Sequence, residues 1–303
     1  MKKYLAILKK YWGHTSFRLV QQEIIESVSQ GKDTLGIMPT GGGKSISFQV
    51  PALAMEGVCL VISPLIALMN DQVDRLNSMG IKAKSLHSGL TYHELLTAID
   101  NAVYGAYKFL YLSPERLASD VFRMKMHDIP VSLITVDEAH CISQWGYDFR
   151  PSYLQIAELR EHFPDVPVLA VTATATPEVI EDIQDKLRFR KKNCIQSEFT
   201  RENLIFYVRR THSKVNDLIK VIRSIRGSGI VYLRNRKKTR EIAEHLIRNT
   251  IQADFYHAGL SYEKRNYKQE KWARNETRIM VATNAFGMGI DKADVRFVIH
   301  MDL

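Results

Sequence analysis

The sequence predicts an α/β protein built from two doubly wound parallel-sheet domains in tandem. Three observations carry this expectation. Short β-branched runs alternate with amphipathic stretches along the whole chain, several runs are followed by Gly, Ser or Pro and then a helix signal, and 303 residues are enough for two domains of roughly 150. In the first series the runs place strands at residues 34–38, 58–62, 108–112, 131–136 and 168–172, with helices between them such as residues 64–79. A second series starts near residue 205. It reads as strand 205–208, helix 213–225, strand 229–233, helix 237–249, strand 253–257, helix 262–273 and strands 278–282 and 295–300. The basic stretch 188–192 and the polar stretch 196–203 mark the junction, giving domains 1–205 and 206–303. There is no short tandem repeat and no low-complexity segment.

Composition narrows the functional classes. With 45% hydrophobic and 25% charged residues, the chain reads as an ordinary soluble globular protein. Its longest apolar run, residues 58–69, is interrupted by Ser63 and Pro64 and falls short of the roughly 18 to 20 residues of a membrane span. No membrane partner and no leader peptide are expected. Cys59, Cys141 and Cys194 lie far apart without a CxxC pair, which argues against a disulfide framework or a zinc module and for a reducing cytoplasm. The net charge of +9 is unevenly spread: residues 1–205 carry 22 Lys and Arg against 23 Asp and Glu, and residues 206–303 carry 20 against 10. A basic second half suits a phosphate-rich polymer, and it suits a solubilising surface equally well.

Chemistry concentrates in three places. The run Met38-Pro39-Thr40-Gly41-Gly42-Gly43-Lys44-Ser45 follows a strand and opens a helix. Its glycines let backbone N–H groups turn inward around phosphate oxygens, Lys44 is placed to reach the β- and γ-phosphates, and Ser45 to ligate Mg²⁺. Met38 stands where the usual phosphate-loop pattern has a first glycine, which disfavours small GTPases and many kinases while leaving the cradle intact. The strand 131–136 ends in Asp137-Glu138-Ala139-His140. Alone, such a pair is most simply a solvated loop. Behind a phosphate loop it reads as Asp137 holding Mg²⁺ through its water shell and Glu138 orienting the attacking water, hence ATP hydrolysis. Next comes Gln144-Trp145-Gly146-Tyr147-Asp148-Phe149-Arg150-Pro151, an aromatic loop suited to stacked bases and a phosphate contact, or to anchoring by buried rings. Arg234, Arg236, Lys237, Lys238 and Arg240 cluster after a strand, as sugar–phosphate contacts or as a solvated helix face.

These residues resemble the RecQ DNA helicases of helicase superfamily 2, and the resemblance runs along essentially the whole chain. Phe17, Arg18 and Gln21 are similar to the family's adenine-reading segment, in which His14 takes the place of a stacking aromatic and Leu19-Val20 that of a Pro-Gly pair. Ser63 and Pro64, opening residues 63–69, resemble its first DNA-contact motif; Ser113-Pro114-Glu115-Arg116 resembles a further strand contact. Residues 172–176, with Thr174, resemble the motif that couples hydrolysis to movement, and residues 230–232, 256–260 and 282–292, with Gly287 and Asp291, its later motifs. The aromatic loop is the most family-specific part.

The resemblance implies two RecA-like lobes, with ATP and Mg²⁺ at the carboxyl ends of the first lobe's strands. It implies nucleotide contacts from His14, Arg18, Gln21, Thr40, Gly41, Gly42, Gly43, Lys44, Ser45, Gly287 and Asp291. It also implies catalysis by Lys44, Asp137 and Glu138, and nucleic-acid contact or coupling by Ser63, Pro64, Arg116, His140, Gln144, Trp145, Phe149, Arg150 and Thr174. The expected activity is an ATP-dependent 3′–5′ DNA helicase of repair and recombination, acting on single-stranded and partially duplex DNA as a monomer in the cytoplasm or on a bacterial nucleoid. No zinc and no particular protein partner are expected. The chain ends at residues 300–303, ahead of the family's arginine-finger motif, so an incomplete second lobe and feeble hydrolysis are expected of it. Two other readings are an ATP-gated nucleic-acid-binding module with little turnover and an RNA helicase of the same superfamily; the aromatic loop disfavours the second.

Overall fold

Alternation of buried strands with one-face-apolar helices yields two parallel sheets in the computed structural model, which describes residues 1–87, 89–146, 148–198, 203–287 and 292–302. The chain divides into two units, Met1–Glu202 and Asn203–Leu303. The first holds α1 (Lys2–Trp12), α2 (Gln21–Ser29), β1 (Thr34–Ile37), α3 (Lys44–Ala54), β2 (Val58–Ile62), α4 (Ile66–Ser78), β3 (Ala83–Leu86) and α5 (Tyr92–Val103). It continues with β4 (Phe109–Leu112), α6 (Pro114–Leu117), α7 (Asp120–Lys125), β5 (Val131–Val136), α8 (Leu159–His162), β6 (Val168–Thr172), α9 (Pro177–Lys186) and β7 (Cys194–Gln196). The second holds α10 (Lys214–Ser224), β8 (Ser228–Tyr232), α11 (Arg236–Arg248), β9 (Ala253–Tyr256), α12 (Tyr262–Ala273), β10 (Ile279–Ala282) and β11 (Val295–His300).

In the first unit the strand order is β3-β4-β2-β5-β6-β1-β7, every pair parallel. The strands are apolar on both faces because helices cover both. Leu60 and Ile62 of β2 enter one core with Leu110, Leu112 and Ile134, while Cys59 and Val61 enter the other with Phe109, Tyr111 and Leu133. The order sets β5, β6 and β1 side by side, with Ile37 level with Thr172 and Val136 level with Ala170. The loops leaving the carboxyl ends of these three strands therefore emerge together. The second unit repeats the pattern with order β11-β8-β10-β9, all parallel.

Most expected elements form within a residue or two of the expected bounds. One strand does not: residues 205–208 are irregular, with Ile205 93% and Phe206 91% exposed. Their β-prone side chains pair with no strand among the described residues, and strand propensity without a neighbour has no ladder to stabilise. Conversely β3 and β7 were not expected, because Ala-Lys-Ser-Leu and Cys-Ile-Gln carry little local signal. They are strands because β4 and β1 offer them parallel edges.

One buried charge ties the first sheet together. The Asp33 carboxylate, just before β1, pairs with Arg160 of α8 and with Arg190 (Nε at 3.1 Å), and accepts the Val168 and Arg190 N–H groups at 3.0 and 2.8 Å. Burial would raise its carboxyl, but the bonds from Arg190 and Val168 and the Arg160 charge outweigh it and hold Asp33 below the ordinary carboxylate value. Asp33→Ala strands a nearly buried Arg160, so urea unfolding of the first unit should show a loss of about 3–5 kcal/mol. Because the folded value is depressed, the clamp's contribution is full above about pH 4 and is lost as pH falls through the folded value; acid titration of wild type against D33A reads this out.

Candidate nucleotide site and nucleic-acid interface

The loop between β1 and α3 is shaped by its glycines for separate reasons. Gly41 and Gly43 adopt left-handed φ of 78° and 79°. Gly42 donates its N–H to Pro39 O at 2.8 Å, and a Cβ there would sit 2.8 Å from that same oxygen. Gly43 is the N-cap of α3, and a Cβ on it would lie 2.3 Å from Gln21 Nε2. Gln21 is buried at the start of α2 and serves as the loop's fastener. Its Nε2 donates to Gly42 O and Gly43 O, both at 3.1 Å, and its Oε1 accepts the Arg18 N–H at 2.9 Å. His14, Arg18 and Thr40 are exposed, and Ser45 is half-buried in the first turn of α3.

Lys44 and Glu138, 94 positions apart, meet because β1 and β5 lie in one sheet: Nζ is 2.9 Å from Oε1. Glu138 holds a left-handed φ of 48°, a strained setting for a glutamate, and donates its N–H to Asp137 Oδ1 at 2.9 Å. Asp137 is 5% exposed; burial, then the Glu138 charge, push its carboxyl up to about 6 against the pull of Lys44. Its backbone is pinned on both sides, by its N–H to Ile62 O at 2.8 Å and by the Tyr153 hydroxyl donating to its carbonyl at 2.9 Å. Buried His140 presents Nδ1 to Thr172 Oγ1 at 2.9 Å and to Glu138 Oε2 at 3.4 Å. The Thr172 hydroxyl donates onward to Thr174 O at 3.4 Å, which leaves its oxygen to accept the Nδ1 proton. Burial, above all, keeps His140 below its ordinary value.

The aromatic loop continues this line. Trp145 is 75% exposed and Gln144 is exposed, while Gly146 packs so closely that a Cβ would fall 2.7 Å from His140 O. Trp145, Gly146, His140 and Thr174–Thr176 line an open recess of about 430 Å³. Phe149 lies under Lys186 Nζ at 5.8 Å. Two arginines expected to touch a polymer are engaged within the unit. Arg150 binds Asp148 through Nε and Nη2 at 3.3 and 3.1 Å and reaches Pro64 O through Nη1 at 2.9 Å. Arg116 gives Nε and Nη2 to His87 O at 2.9 and 2.6 Å. Ser63, by contrast, is buried with a hydroxyl that has no hydrogen-bond partner among the described residues. His140, Cys141 and Asp148 bring one ligand atom each within 4.8 Å of one another, but burial pushes the Cys141 thiol up to about 12 and keeps it protonated.

In the second unit Gly287 is exposed with φ of 139°, and Tyr232 donates its hydroxyl to Phe286 O at 2.6 Å. Asp291 and Tyr147 lie outside the described residues. Three fasteners escaped sequence reasoning: the attachment of Gln21 to the loop carbonyls, Tyr153 and Tyr232. Gln21 and Tyr232 lie in segments that resemble family motifs and Tyr153 does not, but no local signal gives any of the three these bonds, since each acts on a backbone group distant in the chain.

A phosphate loop, an Asp-Glu-Ala-His strand end and parallel sheets agree with the families whose models match. Residues 18–183 match DEAD/DEAH box helicase and residues 213–303 match helicase conserved C-terminal domain. The chain belongs to the DEAD/DEAH box helicases. Within that family it is 46% identical over 301 residues to the ATP-dependent DNA helicase RecQ of Bacillus subtilis, covering 98% of this chain and 51% of the relative. It is 42% identical to the RecQ of Pasteurella multocida, covering 99% and 48%. The chain thus spans about half the length of these relatives. Among solved structures, the helicase MrfA bound to DNA matches with a TM-score of 0.78 at 17% identity, covering 100% of this chain and 47% of that one. The DEAD-box helicase Mss116 bound to single-stranded RNA matches with a TM-score of 0.74 at 18% identity, covering 100% and 68%. At those identities the likeness concerns the fold. No helix among the described residues is long and apolar enough to cross a membrane.

Gly43→Ala forces a Cβ against Gln21 in a left-handed backbone setting, and should weaken binding of a fluorescent ATP analogue by roughly tenfold or more.

Proposed function

We propose that this chain is the motor core of an ATP-dependent DNA helicase of RecQ type, coupling ATP hydrolysis to 3′–5′ movement along single-stranded DNA. The observation that carries the reading is one unbroken polar path. It runs from Lys44 through Glu138 and His140 to Thr172 and Thr174, and two of its members, His140 and Thr174, line the recess beside Trp145. Such a path supports communication between a phosphate site and a base-stacking loop.

The chemistry follows from the ion pair. Lys44 and Glu138 neutralise each other, so a triphosphate in the loop competes for Lys44 and releases Glu138 to orient a water toward the γ-phosphate. Loss of that ion pair also alters the charge beside His140, and the altered contact with Thr172 is where hydrolysis and movement meet. Asp137 and Ser45 offer hard oxygen donors, and Asp137 is buried beside a second carboxylate, Glu138, a donor set that fits Mg²⁺ held largely through water. When bound, that ion offsets the charge of the β- and γ-phosphates. Trp145 supplies a stacking face, while Arg150 braces the aromatic loop against the turn at Pro64.

ATP turnover with oligothymidylate, oligouridylate or no polymer tests the proposal. Stimulation by DNA over RNA is expected, and Lys44→Ala should lower it by about 100-fold or more. Equal stimulation by RNA favours the RNA-helicase reading, and nucleotide binding without stimulated turnover favours the gated binding module. Thr172→Val removes the hydroxyl that joins His140 Nδ1 to Thr174 O; stimulated turnover should fall about tenfold, with ATP-analogue affinity within about twofold.

A further inference from the structure

Five non-glycine residues among those described hold a left-handed backbone: Leu19, Glu138, Arg188, Thr250 and Asn275. Three of them do what that conformation ordinarily does at the end of a helix, Arg188 following α9, Thr250 following α11 and Asn275 following α12. Leu19 and Glu138 end no helix. Glu138 is turned toward Lys44, and Leu19, with φ of 49°, lies two residues before Gln21, which fastens the glycine loop. Both exceptions therefore stand at the candidate nucleotide site. Strain of this kind persists only where the surroundings impose it.

Residues 18–21 form a closed turn. The Gln21 N–H donates to Arg18 O at 3.1 Å, Leu19 has positive φ, and Val20 follows at φ −85° and ψ 11°, the signs of a type II′ turn. The first central position of that turn favours glycine, and a leucine there costs conformational energy. Val20 does not take the strain instead, because its branched Cβ strongly disfavours positive φ at the second position. Nor does burial compensate Leu19, which is 57% exposed and belongs to no hydrophobic core among the described residues.

What the Leu19 side chain meets is the loop between β1 and α3. Its Cδ1 stands 3.3 Å from where a Cβ on Gly42 would be, so the methyl rests against that glycine. The Gly42 N–H is taken by Pro39 O at 2.8 Å, and the Gly42 carbonyl accepts from Gln21 Nε2 at 3.1 Å. Gly42 is thus held at three points, and two of the three holders, Leu19 and Gln21, belong to one turn. In a phosphate loop the backbone N–H groups surround the α- and β-phosphates. A phosphate oxygen that takes the Gly42 N–H has to displace Pro39 O.

We propose that Leu19 is a sprung latch on the phosphate loop that sets its affinity for the phosphates of a nucleoside di- or triphosphate. Engaged, it keeps Gly42 in its bond to Pro39 O. A β-phosphate that claims the Gly42 N–H swings the peptide between Gly41 and Gly42, a motion these two glycines permit, and breaks the contact with Leu19. The contact favours the engaged loop and the left-handed strain opposes it, so the latch gives way to phosphate. The inference rests on the nucleotide site proposed above. Gly42 serves phosphates common to ADP and ATP, so the latch acts equally on both, whereas the Lys44–Glu138 pair senses the γ-phosphate.

The test is fluorescence titration of the whole chain with N-methylanthraniloyl ADP and with a non-hydrolysable ATP analogue carrying the same label. Leu19→Ala keeps the left-handed backbone and removes the contact, so it should bind both nucleotides about threefold to tenfold more tightly than wild type, the opposite of what a merely damaged loop would do. Leu19→Gly removes contact and strain together and should fall between wild type and the alanine variant. Leu19→Met keeps an apolar reach to Gly42 and should stay within about twofold of wild type. Without nucleotide, the glycine variant should melt about 2–5 °C above the alanine variant, since only alanine bears the left-handed cost. An alanine variant that binds ADP no more tightly than wild type overturns the latch, and equal melting temperatures of the two variants overturn the strain. Failure of wild type to bind either nucleotide overturns instead the nucleotide site on which the inference rests.

Discussion

A parallel sheet sends the loop after every strand to the same edge, and the candidate site is a consequence of that constraint. Neighbouring β5, β6 and β1 bring Glu138, Thr172 and Lys44 together although these residues are spread over more than a hundred positions. The buried pairing of Asp33 with Arg160 and Arg190 secures the opposite end of the same strands. Rigidity at one end and polar loops at the other is a division of labour that two-faced burial makes possible.

Electrostatically the site is balanced, with few spare groups. Lys44 answers Glu138, Arg150 answers Asp148, and His140, which burial keeps below its ordinary value, lies between Thr172 and Glu138. A polyanion entering such a site must displace existing partners, so binding in one place is felt in the next. The left-handed backbone of Glu138 belongs to the same economy: it turns the carboxylate back toward Lys44 where an extended continuation of β5 would carry it away.

The second unit shows how one scaffold is used twice. Five consecutive elements recur with identical lengths and turn conformations while nearly all side chains change. Backbone requirements are met by different residues, Gly80 by Thr250 and Gly105 by Asn275, because each needs only a left-handed setting at a helix end.

The chain's pattern alone determined the fold class, the order of most elements and the three motif segments, because apolar periodicity, a glycine run before Lys-Ser and an apolar strand ending in Asp-Glu are local signals. It could not show that residues 205–208 would stay out of a sheet, or that β3 and β7 would enter one, since a strand exists only with a partner. Nor could it show that Arg150 and Arg116 are braces, that Gln21 holds the glycine loop, or that Tyr153 pins Asp137. Each of those roles is a bond to a backbone group far away in the chain. Residue type fixes what a side chain can donate or accept, and only the tertiary fold decides which carbonyl stands within 3 Å of it.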